Sequence, residues 1–203
     1  FDLSKNLIIK NLFYSTSGNI NYIEIQTEEK SIIKDYLPDY NPKIIIKDAK
    51  IEITNSKANQ MLELNGFIKV KNHFDSIKIK EIYNYNKKNF DFKGVVDLTN
   101  SKVKITQLNY LKEAGKKSEI NFDINFVIDK YYNIKSLNFL NGKSKINLSD
   151  IKLNQKFQLL DFKNFKTITF KNKIKNNDFS IKKGEKIIIN GEIYDAEPLL
   201  KSL

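Results

Sequence analysis

Apolar and polar positions alternate along this chain almost from end to end, most plainly over Ile120-Asn121-Phe122-Asp123-Ile124-Asn125-Phe126-Val127-Ile128. A period of two sends successive side chains to opposite faces of a pleated strand, so each such run predicts a β-strand with one apolar and one wet face. The period recurs at Ile51/Ile53, Ile77/Ile79, Val103/Ile105, Leu137/Phe139, Ile146/Leu148 and Phe179/Ile181. Turn-forming clusters punctuate the runs: Ser17-Gly18-Asn19, Asn41-Pro42, Asn55-Ser56, Asn65-Gly66, Asn100-Ser101, Gly115 to Ser118, Asn141-Gly142, Lys183-Gly184 and Asn190-Gly191. Connections this short leave no room for parallel crossovers, which predicts an antiparallel meander of hairpins. Ile44-Ile45-Ile46 and Ile187-Ile188-Ile189 are apolar at consecutive positions and predict stretches covered on both faces.

Helix is scarce. Short turns are expected near residues 29–36 and 196–203, the second capped by Asp195 with Pro198 in its first turn. Neither is long enough to cover a sheet. An antiparallel sheet with one apolar face closes into a barrel, stacks on a second sheet or leaves an apolar channel, and periodicity alone does not choose among them.

The chain has 203 residues, enough for one large all-β domain or two small ones. It starts at Phe1 with no signal-peptide pattern and no apolar run long enough for a spanning helix, and it is expected to be a segment of a longer protein. The absence of Cys removes disulfides, thiolate metal sites and thiol nucleophiles. The net charge of +11 invites an anionic partner, but all 35 basic residues are Lys. Without Arg there is no bidentate fork for phosphate or guanine, and solvated Lys on the outer face of a sheet is the expected reading.

Catalytic constellations are poor. His73, the single histidine, sits in a turn-like Asn72-His73-Phe74-Asp75 with no partners for a relay or a metal site. Asp195 and Glu197 are read as helix N-terminal carboxylates rather than an acid/base pair. Gly184 and Gly191 flank an expected strand and lack the Gly-Lys-Ser/Thr of a phosphate loop. Phe157, Phe162, Phe165 and Phe170, interleaved with Lys, fit an apolar sheet face with Lys stems along it better than a nucleic-acid stacking platform. No enzyme activity, no cofactor, no metal and no nucleic-acid partner is expected.

Three stretches together resemble a known group. They are Phe92-Lys93-Gly94-Val95-Val96-Asp97-Leu98 running on to Val103-Lys104-Ile105, then Tyr110-Leu111-Lys112-Glu113-Ala114-Gly115, and finally Ile187 to Gly191 with Glu192-Ile193-Tyr194-Asp195-Ala196-Glu197-Pro198-Leu199-Leu200. Their order and spacing resemble the AsmA-like family, in particular its YhdP/TamB-type repeating β-groove proteins. The likeness covers residues 90–203, with residues 1–90 matching in general strand pattern, and the family's common Trp and Pro are replaced by Tyr110 and Glu113.

The resemblance implies an all-β fold: one continuous, elongated and strongly curved antiparallel sheet over residues 1–203, with a short C-terminal helical turn. It implies a periplasmic body anchored in the inner membrane of a Gram-negative bacterium by a helix outside this segment. Its apolar groove would conduct phospholipid between inner and outer membranes, with acyl chains and adjoining β repeats of the parent chain as partners. The candidate groove residues are Ile77, Ile79, Val103, Ile105, Ile120, Phe122, Ile124, Phe126, Ile128, Leu137 and Phe139. The alternative is a closed β-sandwich scaffold or adhesin-like domain with no lipid role; a nucleic-acid-binding barrel ranks behind both.

Overall fold

The structure is a computed structural model that describes residues 2–3, 9–27, 33–69, 72–128 and 130–201. In chain order, β1 (Asp2–Leu3) pairs with β2 (Ile9–Asn11), and then come β3 (Tyr14–Gln26), α1 (Ile33–Tyr36), β4 (Lys43–Asn55), β5 (Asn59–Lys69), β6 (Phe74–Asn84) and β7 (Asn89–Asp97). An insert follows, made of β8 (Val103–Ile105), a 3-10 turn (Thr106–Leu108) and β9 (Tyr110–Lys112). The chain then runs through β10 (Glu119–Val127), β11 (Tyr131–Asn141), β12 (Ser144–Leu153), β13 (Leu159–Asp161), β14 (Asn164–Lys171), β15 (Ile174–Lys183), β16 (Ile187–Ile193) and α2 (Glu197–Leu200).

One antiparallel sheet runs in the order β3-β4-β5-β6-β7-β10-β11-β12-β14-β15-β16, with β13 added beside β12. Within this sheet, apart from the insert and β13, beyond which β12 pairs directly with β14, each strand pairs with the next in sequence, which is the expected meander. The sheet is open: β3 and β16 are its two edges, and it curves without closing into a barrel. Its curvature has a local cause. Bulges interrupt the pairing at Lys47/Lys50, Asp123/Ile124, Thr169/Phe170 and Asp178/Phe179, and a bulge bends the strand that carries it.

Three of the turn-like glycines stand inside strands instead: Gly18 in β3, Gly66 in β5 and Gly191 in β16. For two of them the reason is close approach. A Cβ on Gly66 would lie 2.4 Å from the Cβ of Ala49 in the bulge of β4, and one on Gly191 2.4 Å from the Cβ of Phe179, beside the bulge of β16 itself. Gly142, by contrast, occupies a true turn at φ +55°.

The short helices are where turns were expected. α1 covers the later part of 29–36, whose residues before Ile33 lie outside the described residues, and α2 covers the centre of 196–203. Asp195 caps α2: its Oδ1 accepts the Glu197 N–H at 3.2 Å. No helix among the described residues is long and apolar enough to cross a membrane.

The densest packing lies at one margin of the sheet, where the insert folds over the apolar face. Leu98, Val103, Leu108 and Tyr110 are buried there against Phe139 and Ile146, with Leu37, Val96, Ile105, Ile120, Phe165 and Phe179 around them. Val103 and Ile105 therefore do not belong to the sheet. They stand in a separate two-stranded hairpin, because the polar run Thr99-Asn100-Ser101 turns the chain out of β7 and back over it.

Candidate functional site

Cross-strand partners share a face, so the pairing register assigns the apolar side chains to rows that run across the sheet. The longest row is Gly18, Ile51, Leu64, Ile79, Gly94, Phe122, Leu137, Leu148, Phe165, Ile181 and Ile189, one residue from each of the eleven strands from β3 to β16. Ten inter-strand steps of about 4.8 Å make it roughly 48 Å long. Its gap at Gly94 is filled from the next strand, since the Phe122 ring lies where a Gly94 side chain would stand.

A second row lies nearer the insert: Ile77, Val96, Ile120, Phe139, Ile146, Thr167 and Phe179. A third lies away from it: Ile53, Leu62, Glu81, Phe92, Ile124, Ile134 and Ile151. The margin opposite the insert is aromatic. Tyr83, Phe90, Phe126 and Tyr132 are successive partners there, with ring centroids 4.5, 6.2 and 4.6 Å apart, and Phe157 stacks on Tyr132 at 4.9 Å.

The expected groove residues divide cleanly. Ile77, Ile79, Ile120, Phe122, Ile124, Phe126, Leu137 and Phe139 all share this one face. Val103 and Ile105 do not line it; they belong to the hairpin that covers one margin. Ile128 does not line it either, because β10 ends at Val127 and Ile128 is exposed in the turn beyond. Leu64, Leu148, Phe165, Ile181, Tyr83, Phe90 and Tyr132 are among the further residues of the face, and the alternation of their own strands carried the signal for them.

The other face is wet. Asn121, Asn138 and Asn147 form a row on it, and Lys93–Asp123 and Lys135–Asp91 are paired at 2.9 and 2.7 Å. The β10–β11 bulge keeps the faces separate: Lys135 is the extra residue, it stands opposite Asp150 at φ +52°, and Ile134 and Ile151 return together to the apolar side.

Glu81 is the exception. It stands on the apolar face between Leu62 and Phe92, has no ion pair or hydrogen-bond partner among the described residues, and loss of hydration raises its pKa above the ordinary glutamate value.

Beneath the insert lies a buried polar lock. Lys112 is 1% exposed, and its ammonium donates to the carbonyl oxygens of Leu98, Thr99 and Ser101. Burial holds its pKa below the usual lysine value, against the pull of Asp75 and Asp97. Burial pushes Asp75 upward, although the Asn100 N–H, the Asn100 amide and the Ser101 hydroxyl donate to it. Tyr110 is pushed by burial up to about 12, and its hydroxyl donates to Asn141 Oδ1 at 3.0 Å.

Asp195 and Glu197 do converge, on the amide of Asn109 at 2.9 and 2.6 Å, and so tie α2 to the 3-10 turn of the insert. His73 lies exposed in the bend before β6. Among the described residues no group of three or more His, Asp or Glu could hold a metal ion. Compared with known protein families, with curated proteins and with solved structures, the chain matches none of them.

Proposed function

We propose that this chain binds the acyl chains of phospholipid along the apolar face of its curved sheet, as one segment of a conduit between two membranes. The observation that supports it is the eleven-strand apolar row, over which the two-stranded hairpin of the insert, at one margin, is the only sheet laid among the described residues. A face of this kind is costly in water unless something apolar occupies it. Each methylene withdrawn from water contributes about 0.8 kcal/mol, so a partly enclosed acyl chain gains several kcal/mol without any single precise contact. Many equivalent weak positions suit a path along which lipid moves. A cover confined to one margin also favours this reading over a closed sandwich.

The edges fit a repeating groove. β16 has a free edge, and Ile187, Ile188 and Ile189 on it are 60, 54 and 67% exposed. Adjoining β repeats of the parent chain would cover them. A periplasmic location, with anchorage in the inner membrane by a helix outside this segment, belongs to the same proposal and rests on the resemblance of residues 90–203 to AsmA-like proteins.

Photo-crosslinkers at Phe122 and Leu148, on the apolar face, and at Asn121 and Asn147, on the wet one, test it alongside native mass spectrometry of the purified chain. Phospholipid that co-purifies and crosslinks from the first pair only is expected. No bound lipid, or equal labelling from both faces, would overturn it.

A further inference from the structure

Outside the trough, the insert builds a second concavity. Its outward side, carrying Lys104 and Leu111, faces the turns after β11 and β14 and the start of α2 across an open cleft of about 1260 Å³. Seven lysines line this cleft against two carboxylates, Glu113 and Glu197. The carboxylates are already engaged, Glu113 with Lys102 at 3.2 Å and Glu197 with Lys201 at 2.6 Å and Lys171 at 3.5 Å. Lys104, Lys116, Lys143 and Lys173 line the same cleft and have no carboxylate partner among the described residues. They come from four separate stretches of chain: β8, the loop after β9, the β11–β12 turn and the β14–β15 turn.

Four unneutralised ammonium groups around one concavity repel one another, and the low-dielectric walls between them focus their field into the opening. The arrangement is stabilised when an anion enters. Lysine meets phosphate as a mobile point charge and, with no Arg in the chain, nothing here imposes the planar geometry that a carboxylate fork would prefer. The cleft is also larger than an ordinary dry ligand pocket, so the anion keeps much of its water and binding is weakened by salt.

We propose that this cleft is a binding site for a phosphate-bearing anion of head-group size, held by Lys104, Lys116, Lys143 and Lys173. The site rests on the charge geometry and not on acyl binding in the trough. Loss of lipid from the trough therefore leaves it intact, and the two fail separately.

The test compares two triple variants of the same net charge. One is Lys104→Gln with Lys143→Gln and Lys173→Gln; the other is Lys78→Gln with Lys145→Gln and Lys166→Gln, on the wet face of the sheet. Binding of pyrophosphate and of sn-glycerol 3-phosphate is measured by calorimetry, and binding to phosphatidylglycerol and phosphatidylcholine vesicles by flotation. The expected result is at least tenfold weaker binding for the cleft triple and less than a twofold change for the wet-face triple, with matching thermal unfolding. Binding of the soluble phosphates identifies a free anion as the source, and selective binding of phosphatidylglycerol vesicles identifies a lipid head group. Equal losses in both triples, or no binding of any probe by the parent chain at low salt, would overturn the proposal.

Discussion

The ammonium of Lys112 donates to the carbonyl oxygen of Ser101 at 2.6 Å, and this contact fastens the insert to the sheet. Lys112 ends β9, whereas Ser101 lies in the turn that leaves β7, so one side chain ties the return of the insert to its departure. Two further carbonyls, of Leu98 and Thr99, accept from the same nitrogen. A buried charge is tolerable only when hydrogen-bonded on all sides, and here the backbone supplies those bonds.

Lys112→Met is therefore predicted to destabilise the fold although it keeps the stem's apolar volume. It leaves one buried carbonyl, of Leu98, and two half-buried ones, of Thr99 and Ser101, without that donor, at an expected cost of about 2–4 kcal/mol. Urea unfolding of this variant beside Lys116→Met, whose ammonium is exposed in the cleft, measures the difference. A Lys116→Met change within about 0.5 kcal/mol of the parent is expected. Equal stability of the two variants would mean that the lock contributes nothing.

Gly191 and Gly184 separate close approach from simple flexibility. A Cβ at Gly191 collides with Phe179 at 2.4 Å and with the Asp178 carbonyl oxygen at 2.5 Å, whereas one at Gly184 meets nothing within 4 Å. Gly191→Ala is predicted to lower stability by about 1–3 kcal/mol through displacement of the edge strand, and Gly184→Ala to stay within about 0.5 kcal/mol. Thermal unfolding of the pair checks it.

The same glycines show where sequence periodicity reaches its limit. Alternation at 120–128 places Ile120, Phe122, Ile124 and Phe126 on one face, and the register agrees. Asn65-Gly66 and Asn190-Gly191 have turn composition, but the need there is for space against Ala49 and Phe179, a three-dimensional relation that composition does not encode. The β10–β11 bulge left a trace: the apolar phase slips from Leu137 to Ile134, and in the facing strand from Leu148 to Ile151, across Lys135 and Asp150. The hairpin at Val103 and Ile105 left none, since its alternation resembles that of any sheet strand. The basic cleft was illegible for the same reason, its lysines being brought together by turns distant in sequence.

Tyr132 is held between Phe126 and Phe157 in near-parallel stacks, with interplanar angles of 18 and 19°. Each aromatic pair is worth about 0.5–1.5 kcal/mol beyond its buried area. Tyr132→Ala is predicted to cost about 2 kcal/mol, and Tyr132→Phe to cost nothing measurable because the rings carry the contact. Chemical denaturation distinguishes the two, and a loss in Tyr132→Phe equal to that in Tyr132→Ala would transfer the role to the hydroxyl.

Glu81 carries the sharpest pH dependence on the apolar face. Dehydration raises its folded-state pKa above the unfolded value of 4.5, so the folded chain holds this proton more tightly than the unfolded one. The penalty of ionising it is absent below pH 4.5, grows as pH rises through the window above that value and is complete once pH exceeds the folded pKa. Glu81→Gln keeps the shape and removes the titration. It is predicted to match the parent near pH 3.5 and to become the more stable of the two as pH approaches 7, with a constant difference beyond. If the trough holds acyl chains, the same variant also retains lipid more strongly at pH 7, because an ionised carboxylate beside Phe92 keeps water on the face. Unfolding curves between pH 3.5 and 8 test the first part, and native mass spectrometry at pH 7 the second. A stability difference that stays flat across this range would show that Glu81 is fully hydrated and that the face is wetter than its neighbours imply.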